Sequence, residues 1–382
     1  MRYFLNILIL SLLLSGTIFA QAGLQIHGYL TQAFAVSDKS QIFGIPTQGT
    51  SDYRSLALQF NYQSKNNENL VIQLSHRRVG RSPLQPYTRD IELDWAFFEK
   101  MLLDNLSFKF GRIQLPYGLF NELRDVGLVL PFFSVAQNFY PAGSYAGEAL
   151  DGISVTYTHL FPGGWETNLD LFGGRWEWME AIPLPNLFDG GIQTYVSTAE
   201  FRPAGGIRLE ILPPITGMRM SLGNFTGNIY DTPSISSIYM KSDGLFSASH
   251  ISLELDREKY LLVSEYLLAF FEDFSQRENL AYLMAGYRWN DQISTFLQGG
   301  FIHAKNIAIP PALRSQYGNT TDIFAHQSVG AALNWRLNLY MLMKVEAHRV
   351  RSFLMEDKFV DYYSRNTGPE TTYFIISLAT GF

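Results

Sequence analysis

From Leu56 the chain reads Leu-Ala-Leu-Gln-Phe-Asn-Tyr-Gln. In an extended segment successive side chains point to opposite faces. Leu56, Leu58, Phe60 and Tyr62 therefore share one face, and Ala57, Gln59, Asn61 and Gln63 the other. The pattern then recurs three times. Leu70, Ile72 and Leu74 oppose Val71, Gln73, Ser75 and Arg77; Ile91, Leu93, Trp95 and Phe97 oppose Glu92, Asp94 and Ala96; Leu106, Phe108 and Phe110 oppose Ser107, Lys109 and Gly111. Four consecutive segments with a period of two predict strands. A face of Leu and Phe opposed to Gln, Asn, Arg, Glu and Lys predicts hydrocarbon on one side and water on the other.

The connections come in two lengths. Short polar turns are predicted near 64–69, 103–105, 161–164, 213–217, 256–259, 290–292 and 336–338. Longer stretches fall at roughly 37–51, 80–88, 116–148, 175–204, 227–245, 271–278, 304–322 and 351–370. Seven turns and eight loops make fifteen connections, hence about sixteen strands, fixed to within two because 192–212 and 227–256 alternate poorly. The expected fold class is all-β: a transmembrane antiparallel barrel with short periplasmic turns and long external loops. The apolar run Tyr260–Phe271 is too short for a spanning helix. It is predicted to be a strand with Glu265 facing the lumen beside Leu261, Val263 and Leu267. Trp165, Trp289 and Trp335 sit beside predicted short turns, as an interfacial aromatic girdle would require.

Composition supports closure into a barrel. Aromatics make up 15% of the chain and charged residues only 17%, against about 25% charged in an ordinary soluble domain. Beyond residue 22 no run of about 18 apolar residues occurs, which excludes helical spanning, and lipid then admits only a closed sheet. Met1-Arg2, the apolar stretch from Phe4 to Leu14, and Ala20-Gln21-Ala22 read as a secretory signal. Residues 1–22 are thus set aside and 23–382 read as one barrel domain. Absence of cysteine excludes a disulfide scaffold and thiolate metal sites. A net charge of −6 without basic clusters argues against nucleic acid. Sixteen strands place the barrel in the size class with an aqueous lumen.

Two stretches carry a resemblance. The final residues, Tyr-Phe-Ile-Ile-Ser-Leu-Ala-Thr-Gly-Phe, put Phe374, Ile376, Leu378 and Phe382 on alternate positions of a last strand. This is similar to the C-terminal assembly signal of outer-membrane barrel proteins, which implies the barrel assembly machinery as a partner. Residues 110–140 read FGRIQLPYGLFNELRDVGLVLPFFSVAQNFY. A strand ending in Gly-Arg, then Pro-x-Gly-Leu and Asn-Glu-x-Arg-Asp-Val, resembles phosphate-selective-porin-like (O/P-type) members of the Gram-negative outer-membrane porin superfamily. The resemblance covers about thirty residues plus the general architecture. It implies an outer-membrane channel surrounded by lipid and lipopolysaccharide, with a homotrimer as the habit of such porins. Phosphate-binding members carry Lys and Arg ladders, and this chain has no comparable lysine run, so phosphate selectivity is not carried over.

The third external loop, 116–148, is the longest. It carries Glu122, Arg124 and Asp125 and ends at Glu148, with Pro116, Pro131, Phe132, Phe133, Tyr140 and Pro141 along it. So much apolar and rigid content predicts that it folds into the lumen; contact with a neighbouring subunit or lipopolysaccharide is the alternative. Predicted inward wall residues are Arg77 and Arg81 on the third strand, Glu92 and Asp94 on the fourth, Lys109 on the fifth, and Lys344, Glu346 and His348 on the fifteenth. Basic wall groups facing acidic loop groups would set up a transverse field that orients polar solutes and sets ion preference. Neutralising Arg77 and Lys109 is then expected to shift selectivity toward cations. The plainer alternative is that these charges hydrate a wide lumen.

The expected function is passive diffusion of small hydrophilic solutes or ions, without cofactor or energy source. A loop-plugged barrel with a structural or adhesion role, or an outer-membrane hydrolase barrel, are the alternatives. No enzyme is expected: the histidines at 27, 76, 159, 250, 303, 326 and 348 form no His-x-x-x-His pair, and neither Gly-x-Ser-x-Gly nor a Gly-x-x-x-x-Gly-Lys phosphate cradle occurs. No catalytic, cofactor-binding or metal residue is assigned.

Overall fold

The structure, a computed structural model, describes residues 23–140, 148–185, 192–231, 244–272, 276–308, 314–358 and 366–382. The expected signal segment 1–22 lies outside them, as do parts of several predicted long loops. Sixteen strands follow one another: β1 Leu24–Ser37, β2 Thr50–Gln63, β3 Glu68–Val79, β4 Glu92–Leu103, β5 Leu106–Gln114, β6 Ala149–Leu160, β7 Glu166–Pro185 and β8 Ile192–Leu212. They continue as β9 Met218–Asp231, β10 Leu245–Asp256, β11 Tyr260–Phe271, β12 Gln276–Arg288, β13 Ile293–Ala308, β14 Thr320–Asn338, β15 Met341–Ser352 and β16 Glu370–Gly381. Each pairs antiparallel with its sequence neighbours, and β1 pairs with β16 to close the barrel. Both the predicted count and the predicted handing of turns hold, except that the last turn falls at 339–340, just beyond 336–338.

The seam is closed by the final residue. Gly28 N donates to Phe382 O at 3.1 Å and Phe382 N to Gly28 O at 2.9 Å. The Phe382 ring packs over Gly28, in the space a Cβ there would take, so a side chain at that position would have to displace the ring. Phe374 and Ile376 are exposed on the outer wall of β16, with Leu378 on the same face. At the short-turn end Trp165, Trp289 and Trp335 are also exposed on the outside. Tyr287 packs edge-on against Trp289, with ring centroids 4.7 Å apart. At the long-loop end the outer wall is instead ionic: Asp52 meets Arg54 at 2.6 Å and Arg78 at 2.8 Å, and Glu370 meets Arg349 at 2.9 Å. An apolar band lies between aromatic and ionic borders.

Two expectations fail, for one reason. Over its described residues the stretch 175–204 is not a loop: β7 runs to Pro185 and β8 starts at Ile192, strands of 20 and 21 residues. One extra residue on β8 between Phe201 and Ala204 shifts its register against both neighbours and moves its alternation by one position, so the pattern of β8 looks broken where the sheet continues. On β4 a register shift falls between the pairs Gln73–Trp95 and Leu74–Leu93, leaving Asp94 as the extra residue. Leu93 stays outside, but Asp94 and Trp95 both point inward, and Phe97 follows them. Trp95 and Phe97, expected on the lipid face, are lumen residues. The Glu265 expectation holds: Leu261, Val263, Glu265 and Leu267 are buried inside β11.

Candidate functional site

Leaving β5 at Gln114, the chain turns into the barrel and stays inside through Tyr140. Irregular backbone in a closed space leaves amides and carbonyls without partners, and each such group costs about 1–3 kcal/mol. Side chains of the wall fill this need. Glu265 of β11 accepts from Leu119 N at 2.7 Å. Lys344 of β15, fully buried, donates to Phe132 O at 2.6 Å, and its neighbour Glu346 accepts from Phe133 N at 2.6 Å. Asn334 of β14 donates to Pro131 O at 3.0 Å. The loop answers with Asn138, whose Nδ2 donates to Ala281 O on β12. Its side chain lies where a Cβ at Gly300 of β13 would have to be. Within the loop, the Tyr140 hydroxyl accepts from Leu119 N at 2.9 Å and Phe120 N at 3.0 Å. The predicted inward fold of the third loop is thus what the chain adopts over 115–140.

Many of the charged groups gather on one side of the lumen, on β15, β16 and β1–β4, next to an apolar cluster that includes Ile42, Ile45, Tyr53, Tyr373 and Ile375. Arg77 of β3 donates to Asp125 within the loop at 2.5 Å and to Glu148 at its far end at 2.8 Å. Arg124 reaches Glu148 at 3.3 Å and also bonds Asn121. Burial pushes the Glu148 carboxyl up, but the Arg77 and Arg124 charges outweigh it and hold the group down at about 2. Burial raises Asp125, and the adjacent Glu148 charge adds to this against the pull of Arg77. Below them Asp94 accepts from Ser75 at 2.5 Å and Gln73 at 2.9 Å, and Gln73 also accepts from Tyr29 at 2.6 Å. His348 bonds Glu346 at 3.1 Å and stacks on Tyr373 with centroids 4.5 Å apart.

Arg77, Asp94, Asp125, Arg124, Lys344, Glu346 and His348 are therefore gathered around the loop, as basic wall against acidic loop requires for Arg77. Others are placed differently. Arg81 lies two residues past the end of β3, exposed in the next loop and bonded to Gln48 at 3.1 Å; it does not line the lumen. Glu92, at the mouth, accepts from the Arg89 amide at 3.1 Å. Lys109 pairs with Glu99 of the adjacent strand at 3.6 Å and lies over Phe97, and it borders the same space as Glu122 of the loop. Glu122 is met by Arg208 of β8 at 3.0 Å, and Arg208 also holds Asp170 at 2.8 Å. Arg208, Asp170, Arg219 and Glu254 were not assigned from the sequence; their strands lie where bulges and glycines blur the alternation.

On β7–β11 the lumen wall is apolar toward the long-loop end, beyond the charged groups Asp170, Arg208, Arg219 and Glu254. Trp176 and Trp178 of β7, Phe201 of β8, Phe225 of β9, Phe246 of β10 and Phe271 of β11 project inward near the long-loop end. Centroids lie 4.4 Å apart for Trp176–Phe201, 4.9 Å for Trp176–Phe225, 5.3 Å for Phe201–Phe246 and 5.0 Å for Phe246–Phe271. Tyr117, Phe139 and Tyr140 of the loop face them. Among the described residues, spaces remain beside the loop. One of about 440 Å³ opens at the short-turn end beside Phe120 and Leu130, lined by Glu254, Asp256, Arg288 and Arg336. A second, about 170 Å³, lies beside Lys109, Glu122, Asp170 and Arg208. The third, about 110 Å³, lies among the aromatic rings.

No protein-family model and no curated protein matches the chain. Solved structures do. OmpT of Vibrio cholerae, described as outer-membrane expressed, aligns with a TM-score of 0.57 at 10% identity over 96% of this chain and 99% of its own. Salmonella typhi OmpF in complex with daunomycin aligns at 0.57 and 11% over 96% and 99%. The trimer form of Vibrio cholerae OmpT aligns at 0.52 and 10% over 94% and 99%. Identity this low speaks to architecture alone: the chain has the closed antiparallel barrel fold of these outer-membrane proteins.

Proposed function

We propose that the chain is an outer-membrane porin of a Gram-negative bacterium, through which small hydrophilic solutes or ions diffuse passively past the inward third loop. One observation carries the reading. The loop is fastened to the wall by Glu265, Asn334, Lys344 and Glu346, yet polar space of about 440 Å³ and 170 Å³ stays beside it. Charged groups of both signs border that space, as in a constriction that orients solutes. The apolar band of the outer wall meets hydrocarbon, with the tryptophan girdle toward the periplasm. Arg54, Arg78, Arg349 and Arg351 would face lipopolysaccharide head groups. The barrel assembly machinery would read the strand bearing Phe374, Ile376, Leu378 and Phe382. A homotrimer follows from likeness to a neighbour described in a trimer form. Catalysis is no part of the proposal.

The test is single-channel recording in planar bilayers. Wild type is expected to give small, uniform conductance steps, and deletion of residues 122–137 to enlarge them several-fold. Equal conductance with and without the loop would refute a loop-narrowed pore. The dense apolar packing of Phe132, Phe139 and Tyr140 against the wall favours a second reading, a plugged barrel. Its signature is a silent wild type and a conducting deletion.

A further inference from the structure

Diffusion of hydrophilic solutes has no use for the aromatic side of the lumen. Five rings, Trp176, Trp178, Phe225, Phe246 and Phe271, face three rings of the loop there, with Phe201 packed behind them, and Leu115, Ala248, Leu267, Ala269 and Leu280 complete the walls of the space between. Large rings carry 150–250 Å² of apolar surface each by rough measure, so turning them toward a wet lumen is costly unless something apolar covers them. A second, independent observation points to the occupant. The indole N–H groups of Trp176 and Trp178 are buried at this wall and meet no acceptor among the described residues. A buried donor left unpaired costs about 1–3 kcal/mol. The polar groups at the edge are already engaged. Asn121 Nδ2 donates to Leu115 O at 2.9 Å, Arg124 is held by Glu148, and Glu278 accepts from Gln276 at 2.8 Å. The space thus offers stacking faces beside two unpaired indole donors, with Arg124 paired to Glu148 and Glu278 bonded to the neutral Gln276 amide.

We propose that this slot binds a compact, uncharged aromatic molecule bearing an acceptor oxygen, such as a phenol or aryl ketone. Its ring lies between the loop rings and the wall, and its oxygen accepts from a tryptophan indole. An apolar cavity of about 150 Å³ takes up benzene, so about 110 Å³ fits a single ring whose substituent extends toward the mouth. The proposal deepens the porin reading and rests on it, since the ligand reaches the slot through the lumen.

The experiment uses the full chain in detergent micelles and three probes followed by calorimetry: acetophenone, toluene (same ring, no acceptor) and benzoate (charged). Saturable binding is expected for acetophenone, weaker binding for toluene, and none for benzoate. Trp176→Phe/Trp178→Phe keeps the rings and removes both donors. It should weaken acetophenone about ten-fold and leave toluene unchanged. Ala248→Trp fills the slot and should abolish saturable binding of both. Retention of the barrel is checked by circular dichroism and the compact band of unheated gels. If Ala248→Trp fails that check, the double Phe variant decides alone. Acetophenone bound no better than toluene, or bound equally by wild type and the double variant, overturns the proposal. Bilayer recording on the same preparation separates the two claims. Conduction without acetophenone binding sinks the slot, and binding by a silent barrel sinks the porin.

Discussion

The two sides of the lumen hold the same loop by different physics. On the polar side each contact is directional and shared: Arg77 spans Asp125 and Glu148, and Glu148 also serves Arg124. Removing one member leaves the others charged and buried, so the loss exceeds the contact itself. On the apolar side Trp176, Phe201, Phe225 and Phe246 touch one another in many weak contacts. There a changed ring can be partly replaced by its neighbours. The polar side therefore fixes Asp125 within the loop and Glu148 at its far end, and the aromatic side supplies bulk burial with tolerance for variation.

The largest test of that contrast is Arg77→Met. It leaves the buried Asp125 without its ion-pair partner and Glu148 with Arg124 alone, and is expected to lower stability by about 3–5 kcal/mol, read from urea unfolding in micelles. Adding Asp125→Asn should recover more than half of the loss. Phe201→Leu on the opposite side should cost about 1 kcal/mol and, unlike Arg77→Met, show no dependence on salt. If the two single variants cost the same, the contrast collapses. The smallest effect concerns the external cap on the polar side. There Glu356, beyond β15, accepts from Gly44 N at 2.8 Å and Gln41 at 3.0 Å. Burial raises its carboxyl to about 7. Because the folded chain holds that proton more tightly than the unfolded one, its contribution is fully present below about 4.5 and is lost as pH rises through 7. Glu356→Gln should therefore have a higher apparent Tm than wild type at pH 8 and an equal one at pH 5. An equal Tm difference at both pH values would contradict this.

Strands with unbroken alternation were legible from the residues alone. Leu56 through Tyr62 and Leu70 through Leu74 face outward as the period requires, and Glu265 betrayed the inner face of β11 because a lone carboxylate in an apolar run cannot face lipid. The inward loop was legible from Pro131, Phe132 and Tyr140, too apolar for free solvation. What stayed hidden lies beyond a bulge. One extra residue at Asp94 reverses the faces of Trp95 and Phe97, and another on β8 between Phe201 and Ala204 disguised that part of the aromatic wall as a loop. Pairings such as Glu122 with Arg208 join residues 86 positions apart, and only closure of the barrel brings them together.

The wall grips the loop by its main chain. Glu265, Asn334 and Lys344 hold the amide of Leu119 and the carbonyls of Pro131 and Phe132, and Glu346 the amide of Phe133. Every residue type presents those same atoms, save that proline lacks the amide. Substitutions along the insert can thus change the surface it presents to the lumen while the clasp stays shut. Selection is then free to retune that surface without rebuilding its frame.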